Sequence, residues 1–137
     1  MNGRRVVITG LGIVSPVGST IDSAWANIVE GKSGIDTIKR FDASAFSTRI
    51  GGEVSGFETG DYLTPKEARQ NDAFVHYGIA AARQAIEDSG QQFEKPERAG
   101  VAIGAGIGGI ETIEKNHGAY LKAHSPRKIS PFFIPGS

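Results

Sequence analysis

A glycine-rich turn is the first stretch whose residues could do chemistry. Residues Gly104 to Gly109 fit the pattern G-x-G-x-x-G, and they follow an apolar run, Val101 to Ile103, that is typical of a short buried strand. Because glycine has no Cβ atom, such a turn lets the backbone approach a phosphate closely. The same turn is also compatible with a crowded crossing point in a core.

A dinucleotide site requires more than this turn. It needs an acidic residue about 20 positions further on, at the end of a second strand, to bind the ribose hydroxyls. Positions 121–130 contain neither Asp nor Glu. An earlier glycine pair, Gly10 and Gly12, lacks the third glycine and is followed by Pro16. A structural turn is therefore the favoured interpretation, with nucleotide binding as the alternative.

Side chains for nucleophilic or metal chemistry are scarce. The chain has no cysteine, which excludes a thiolate nucleophile and a thiolate metal site within these residues. Its histidines are His76, His117 and His124. His76 falls in the middle of a predicted helix between apolar faces, which favours a hydrogen-bonded histidine without a catalytic role. We predict no catalytic residue, no metal site and no cofactor in this segment.

Basic residues form the second candidate for function. Lys66 and Arg69 lie near a predicted helix start, and Arg127 and Lys128 lie in a late loop. Cations in a first helical turn oppose the helix dipole, so helix stability does not explain the first pair. A solvated surface is the simplest interpretation. The alternative is an electropositive patch that attracts an acidic partner.

Length and charge set the class of protein. The 137 residues match one ordinary domain, and 15 basic residues balance 15 acidic ones. This balance gives no indication of a nucleic-acid or membrane partner. No apolar run approaches the ~20 residues of a membrane span, and the N-terminus has no signal-peptide apolar region. We therefore expect a cytoplasmic protein.

The first structural unit predicted is a strand, a loop and a helix. Residues Val6 to Ile8 are apolar throughout, which predicts a strand buried on both faces. A helix follows, capped by Ser19 or Thr20, with an apolar stripe at i, i+3, i+4 spacing and Gly31 just past its end.

A second helix is marked by its capping residues. Thr64, Pro65 and Glu67 form a capping box with proline at the first helical position, and the apolar pattern predicts one helix continuing to Ser89. Between the two helices the sequence has no sustained period. Only a short strand or hairpin edge within residues 49–54 is predicted there.

The last third of the chain holds one more predicted helix, from Ile110 to Tyr120. Residues 125–137 are punctuated by proline and are predicted to form an extended loop. This loop carries an apolar run, Phe132 to Ile134, that would require a partner surface. The sequence therefore looks truncated at this end.

Longer stretches of the chain carry a resemblance to a known family. The run RRVVITGLGIVSPVG, residues 4–18, resembles the N-terminus of β-ketoacyl-acyl-carrier-protein synthases. Asp72-Ala-Phe with Tyr77-Gly, residues 103–109 and residues 127–135 are similar to the synthase II type in particular. The resemblance covers essentially the whole chain.

This resemblance implies an α/β fold of the thiolase type, layered α-β-α-β-α and usually dimeric. Residues 1–137 would form one partial N-terminal domain that stops before the nucleophile. The family elongates fatty acyl chains by decarboxylative Claisen condensation of an acyl-enzyme with malonyl-carrier protein, using a cysteine and two histidines. Those residues would lie beyond Ser137, so the isolated segment is expected to be inactive.

The resemblance also assigns non-catalytic roles to residues of this chain. Ile107 matches the gating isoleucine beside the acyl pocket, and Phe133 and Ile134 match pocket-lining residues that reach across the dimer. Four cations match positions that contact the acyl carrier protein: Lys66, Arg69, Arg127 and Lys128. Gln70 replaces a lysine often found there. The implied partners are the carrier protein, a second copy of the chain, and acyl and malonyl thioesters.

Three hypotheses follow. The first is the N-terminal part of a synthase that lacks condensing activity alone. The second is a nucleotide-binding module that uses the turn Gly104 to Gly109. The third is a non-catalytic dimerisation or interaction module built on the run Phe132 to Ile134.

Overall fold

The computed structural model describes residue 3 and residues 5–137. The chain divides into two compact units. The first contains the described residues up to Phe57 together with Ala80–Glu94, and the second contains Glu58–Ile79 and Lys95–Ser137. Within the described part of the chain, no helix combines the length and the apolar character needed to cross a bilayer.

The first unit contains the predicted capped helix, α1 (Ile21–Val29). Of the two candidate caps, Thr20 is the one used: its hydroxyl accepts the backbone N–H of Ser23 at 3.3 Å, and the Ser23 hydroxyl accepts the N–H of Thr20 at 3.2 Å. Gly31 follows the helix with φ of +70°, a conformation that favours glycine. The predicted helix is confirmed with its boundaries.

A small antiparallel sheet follows α1. Strand β1 (Ile35–Thr37) pairs with β2 (Ile50–Gly52), and Asp36 lies opposite Gly51. The Glu53 carboxylate accepts the backbone N–H groups of Lys39 and Arg40 at 3.0–3.1 Å, which fixes the chain beside this sheet. The short strand predicted within residues 49–54 is confirmed.

The strand predicted for Val6 to Ile8 is not formed. The side chains of Val6, Val7 and Ile8 are 92%, 68% and 84% exposed, and no strand pairs with them in the part of the chain described. A strand requires a neighbour for its backbone hydrogen bonds. The apolar pattern predicts burial of these three side chains, but within the described chain they remain exposed.

The N-terminal segment is instead held by the second half of helix α3 (Ala73–Ser89). The N–H of Leu11 donates to the Asp88 carboxylate at 2.8 Å, and the N–H of Ile13 donates to the Gln84 amide oxygen at 3.1 Å. A Cβ atom at Gly12 would overlap backbone atoms of Ala81 and Ala85. The glycines of this segment therefore serve close packing against a helix, in agreement with a structural turn.

Helices α2 (Pro65–Gln70) and α3 replace the single helix predicted from Thr64 to Ser89. Asn71 is extended, with φ of −125° and ψ of 149°, so the helix ends there. The capping box at Thr64 is confirmed. The error came from the apolar period, which continues across a break that the polar pair Asn71-Asp72 produces.

The rest of the second unit is built around α4 (Ile110–Ala123). This helix was predicted to end near Tyr120 and extends three residues further. His124 ends it in the left-handed conformation, with φ of 47° and its N–H donating to the Tyr120 carbonyl at 2.8 Å. The strand predicted for Val101 to Ile103 is not formed, and Val101 and Ile103 are 64% and 60% exposed.

The predicted extended loop at residues 125–137 contains helical turns. A 3-10 turn spans Pro126–Lys128, and a short helix, α5, spans Phe133–Gly136. The N–H of Phe133 donates to the Ser130 carbonyl at 3.0 Å. Proline at 126 opens the first turn without losing a helical hydrogen bond, so the proline pattern did not require an extended chain.

Candidate functional site

A polar groove of about 430 Å³ lies in the second unit. It is bounded by the end of α2, the start of α3, the first half of α4 and the segment that precedes α5. Its lining residues are Ala68, Arg69, Gln70, Asn71, Asp72, Ala73, His76, Glu111, Thr112, Lys115, Asn116, Ser130 and Phe132. Of the residues assigned by resemblance, only Arg69 lines this groove.

The Asp72 carboxylate, at the edge of the groove, accepts hydrogen bonds from two helix starts. One carboxylate oxygen accepts the N–H of Ala73 at 2.6 Å, and the other accepts the N–H of Thr112 at 2.9 Å. The carboxylate therefore satisfies donors at the start of α3 and at the start of α4. The backbone N–H of Asp72 donates to the Gly136 carbonyl at 2.9 Å.

The charge state of Asp72 follows from these contacts. Partial burial raises the pKa of the carboxyl, but hydrogen bonds from Thr112 and Ala73 and the nearby Lys115 outweigh burial, so the pKa is lowered from its ordinary value. The group is therefore an anion at neutral pH. Lys115 itself pairs with Glu111 at 2.7 Å along α4.

Two further contacts fix the groove. The Asn116 amide oxygen accepts the N–H of Ser130 at 2.7 Å, and its amide nitrogen donates to the Thr112 carbonyl at 2.8 Å. Asn116 thereby attaches the segment before α5 to α4. The Nε2 atom of His76 lies 3.1 Å from the Ala68 carbonyl, which confirms the prediction of a hydrogen-bonded histidine.

The glycine-rich turn packs directly against Asp72 and the end of α5. A Cβ atom at Gly109 would lie 2.5 Å from the Asp72 carboxylate, and one at Gly108 would lie 3.1 Å from the Ser137 carbonyl carbon. Gly108 has φ of +77°. On this side the turn is a crowded crossing, whereas a Cβ atom at Gly104 or Gly106 would meet no other atom.

This packing argues against the phosphate cradle. In a dinucleotide site, the free N–H groups of the helix that follows the turn bind the pyrophosphate. Here the N–H of Thr112, in the first turn of α4, already donates to the Asp72 carboxylate. The chain's own anion occupies the place that a phosphate would take.

The three residues assigned to an acyl pocket belong to the second unit and do not line the groove. Ile107 is 73% exposed and Ile134 is 78% exposed, while Phe133 is half-buried. Gly108 contacts Ser137, the residue that follows α5, so the Ile107 turn and α5 adjoin.

The four assigned cations are exposed. Lys66 and Arg69 lie on α2, and Arg127 and Lys128 lie on the 3-10 turn that contacts α4. None of the four forms an ion pair with another described residue.

The comparisons with known proteins decide the family. The model of the β-ketoacyl synthase N-terminal domain matches residues 3–137. This chain belongs to the β-ketoacyl synthase family. The 3-oxoacyl-[acyl-carrier-protein] synthase 2 of Vibrio harveyi is 50% identical over 139 aligned positions, which cover 100% of this chain and 33% of that protein. The resemblance to the synthase II type is thereby confirmed.

Solved ketosynthase structures share the fold. The ishigamide ketosynthase/chain length factor aligns with a TM-score of 0.78 and 28% identity over 97% of this chain and 34% of its own. A β-ketoacyl synthase from Burkholderia phymatum STM815 aligns with a TM-score of 0.75 and 26% identity over 96% of this chain and 33% of its own. The chain thus spans about a third of the length of the relatives that it matches.

Asp72 is the residue whose role the sequence reasoning missed. Its sequence context indicates only a family motif, and the apolar period predicts a helix that runs through it. A usable signal was present, because Asp is a preferred residue directly before a helix and Asn71-Asp72 interrupts the apolar stripe. Its contact with α4 is between residues 40 positions apart and has no local signature.

Proposed function

We propose that this chain is the N-terminal part of a fatty-acid β-ketoacyl-acyl-carrier-protein synthase of type II. The observation that carries the proposal is the family match over residues 3–137 together with 50% identity to a 3-oxoacyl-[acyl-carrier-protein] synthase 2. The reaction is the decarboxylative Claisen condensation of an acyl-enzyme with malonyl-carrier protein. The complete protein would form one layered thiolase-type enzyme, cytoplasmic and homodimeric, that works without a cofactor.

The chemistry itself belongs to residues outside this chain. Without cysteine, residues 1–137 supply no thiolate to take the acyl group from its carrier. We therefore assign to this segment substrate contacts alone: Ile107, Phe133 and Ile134 at the acyl pocket, and the four cations at the carrier surface. The formal net charge of zero is compatible with binding of an acidic carrier protein. Electrostatic attraction of such a partner depends on the electric field near the four cations and not on the total charge of the chain.

The proposal is tested with the full-length synthase and with residues 1–137 alone. The full-length protein is expected to release CO₂ and form the β-ketoacyl product from acyl-carrier and malonyl-carrier protein, and residues 1–137 alone are expected to form none. A full-length protein that binds both carriers but does not condense them would reject the proposal, as would turnover by residues 1–137.

The carrier surface is tested in the same assay. Reversing two charges, with Arg127→Glu and Lys128→Glu together, is expected to raise the KM for the acyl-carrier substrate by about tenfold or more, because each lost contact with an acidic partner also adds repulsion. The kcat at saturation, and turnover of small pantetheine thioesters, should change little. Lys95→Glu and Arg98→Glu together, at the exposed 3-10 turn Pro96–Arg98 and the residue before it, are the matched control. If the test variant and the control variant have equal KM values for the acyl-carrier substrate, Arg127 and Lys128 do not bind the carrier protein.

A further inference from the structure

Asp72 lies where three segments of the second unit meet. Its carboxylate accepts N–H groups from the first residue of α3 and from Thr112 in α4, and its own N–H donates to Gly136 at the end of α5. An ordinary capping residue serves only the helix that it precedes. Asp72 serves that helix and also a second helix 40 residues away in sequence.

The space around these contacts is closed by two glycines. A Cβ atom at Gly109 would lie 2.5 Å from one Asp72 carboxylate oxygen and 2.8 Å from its Cβ. A Cβ atom at Gly136 would overlap the Gln70 carbonyl oxygen. Both glycines are buried. The turn that carries Ile107 and the helix that carries Phe133 and Ile134 can therefore approach Asp72 only because these positions lack side chains.

We propose that Asp72 is a positioning residue, which holds the Ile107 turn and helix α5 at a fixed separation and thereby sets the acyl-chain selectivity of the synthase. The inference rests on the proposed function, because it takes Ile107, Phe133 and Ile134 as the acyl-pocket residues. Its physical basis is independent of that assignment. The Asp72 side chain contacts α4, which directly follows the Ile107 turn, and the Asp72 backbone N–H contacts the last residue of α5.

The two carboxylate oxygens explain why this position requires Asp. Each oxygen faces a backbone N–H, so both must accept a hydrogen bond. In Asp72→Asn, the side chain has the same size but turns one acceptor into a donor. That donor would face an N–H group, and one of the two helices would lose its partner.

The test uses the full-length synthase with two variants that disturb the bridge from opposite sides. Asp72→Asn removes one acceptor, and Gly109→Ala presses on the same carboxylate from the turn. For both, amide hydrogen exchange is expected to accelerate at residues 105–112 and 131–137, with no change at residues 21–29, which form α1. The kcat/KM for acylation by long chains should fall about tenfold further than for short chains, since small displacements in a pocket cost large factors in rate.

Matched controls separate positioning from general destabilisation. Asp22→Asn changes an acid in the first turn of α1, and Gly118→Ala adds a methyl group on α4 that meets no atom outside its own helix backbone within 4 Å. Neither control should alter exchange at the two segments or the chain-length profile. The double variant with Asp72→Asn and Gly109→Ala should be no worse than the more affected single variant, because both break the same contact.

Each outcome decides the inference. Unchanged exchange at either segment in Asp72→Asn would overturn it, and so would faster exchange with an unaltered ratio of long-chain to short-chain acylation. If the wild-type full-length protein does not condense at all, the proposed function fails. The exchange measurement then still decides whether Asp72 holds the two segments together.

Discussion

Ile107 is the one bulky side chain in a turn otherwise composed of glycine and alanine, and most of it is exposed. The two glycines that follow are required for different reasons. Gly108 adopts a positive φ, and at Gly109 a Cβ atom would collide with the Asp72 carboxylate. Ile107 itself has no such constraint from the described chain. At the scale of single residues, the turn thus holds a fixed backbone and presents one apolar side chain.

A larger side chain at Ile107 should narrow the proposed acyl pocket. In the full-length synthase, Ile107→Phe is expected to reduce the acylation rate for long acyl chains by about tenfold or more, with a smaller effect on short chains, because overpacking at a pocket wall excludes longer ligands. The measurement is single-turnover acylation across a series of chain lengths. Ile107→Val, which removes one methyl group, is the control, and equal losses at every length for the Phe variant would reject the gating role.

Helix α2 shows how a short element is kept in place. It has six residues, too few to be stable alone, and it carries Lys66 and Arg69 of the proposed carrier surface. The N–H of Thr64 donates to the Glu67 carboxylate at 2.8 Å, and the N–H of Glu67 donates to the Thr64 hydroxyl at 3.3 Å. Hydrogen bonds from the Thr64 hydroxyl and then its backbone lower the pKa of Glu67.

Removing this cap should weaken α2 in a pH-dependent way. Thr64→Ala is expected to lower the Tm of the full-length synthase by roughly 2–4 °C at neutral pH. A group whose pKa is lowered by folding contributes stability above its unfolded pKa and loses it as the pH falls through the folded pKa. The Tm difference should therefore shrink in acid. Thr48→Ala, at an exposed loop position, is the control, and a Tm difference independent of pH would exclude the role of Glu67.

At the scale of the molecule, apolar side chains that sequence patterns predict to be buried remain exposed in each unit. In the first unit they are Val6, Val7 and Ile8, and in the second they are Val101 and Ile103. Runs of this kind are typical of strands covered on both faces. Since the chain spans about a third of its relatives' length, we expect the proposed full-length synthase to cover them.

Residues 1–137 alone should behave as a protein with uncovered apolar surface. We expect them to bind a hydrophobic dye and to associate in a concentration-dependent way in sedimentation experiments, whereas the full-length synthase should bind little dye. Ile8→Asp and Ile103→Asp should have opposite effects in the two contexts, reducing association of residues 1–137 while destabilising the full-length protein. The matched change Ile35→Asp, on the exposed edge strand β1, should not destabilise the full-length protein. A dye-free monomer of residues 1–137 would contradict this prediction.

Features that depend on neighbouring residues could be predicted from the amino-acid sequence. The caps at Thr20 and Thr64 follow from side-chain to backbone contacts within one helical turn, and the end of α1 follows from the positive φ that Gly31 adopts. Motifs in order along the chain also determined the family. Tertiary structure alone decided the rest: whether an apolar run becomes a strand depends on a distant partner, and the role of Asp72 depends on donors from Thr112 and a carbonyl from Gly136. Such contacts join residues that are distant in sequence, and a local sequence pattern does not specify them.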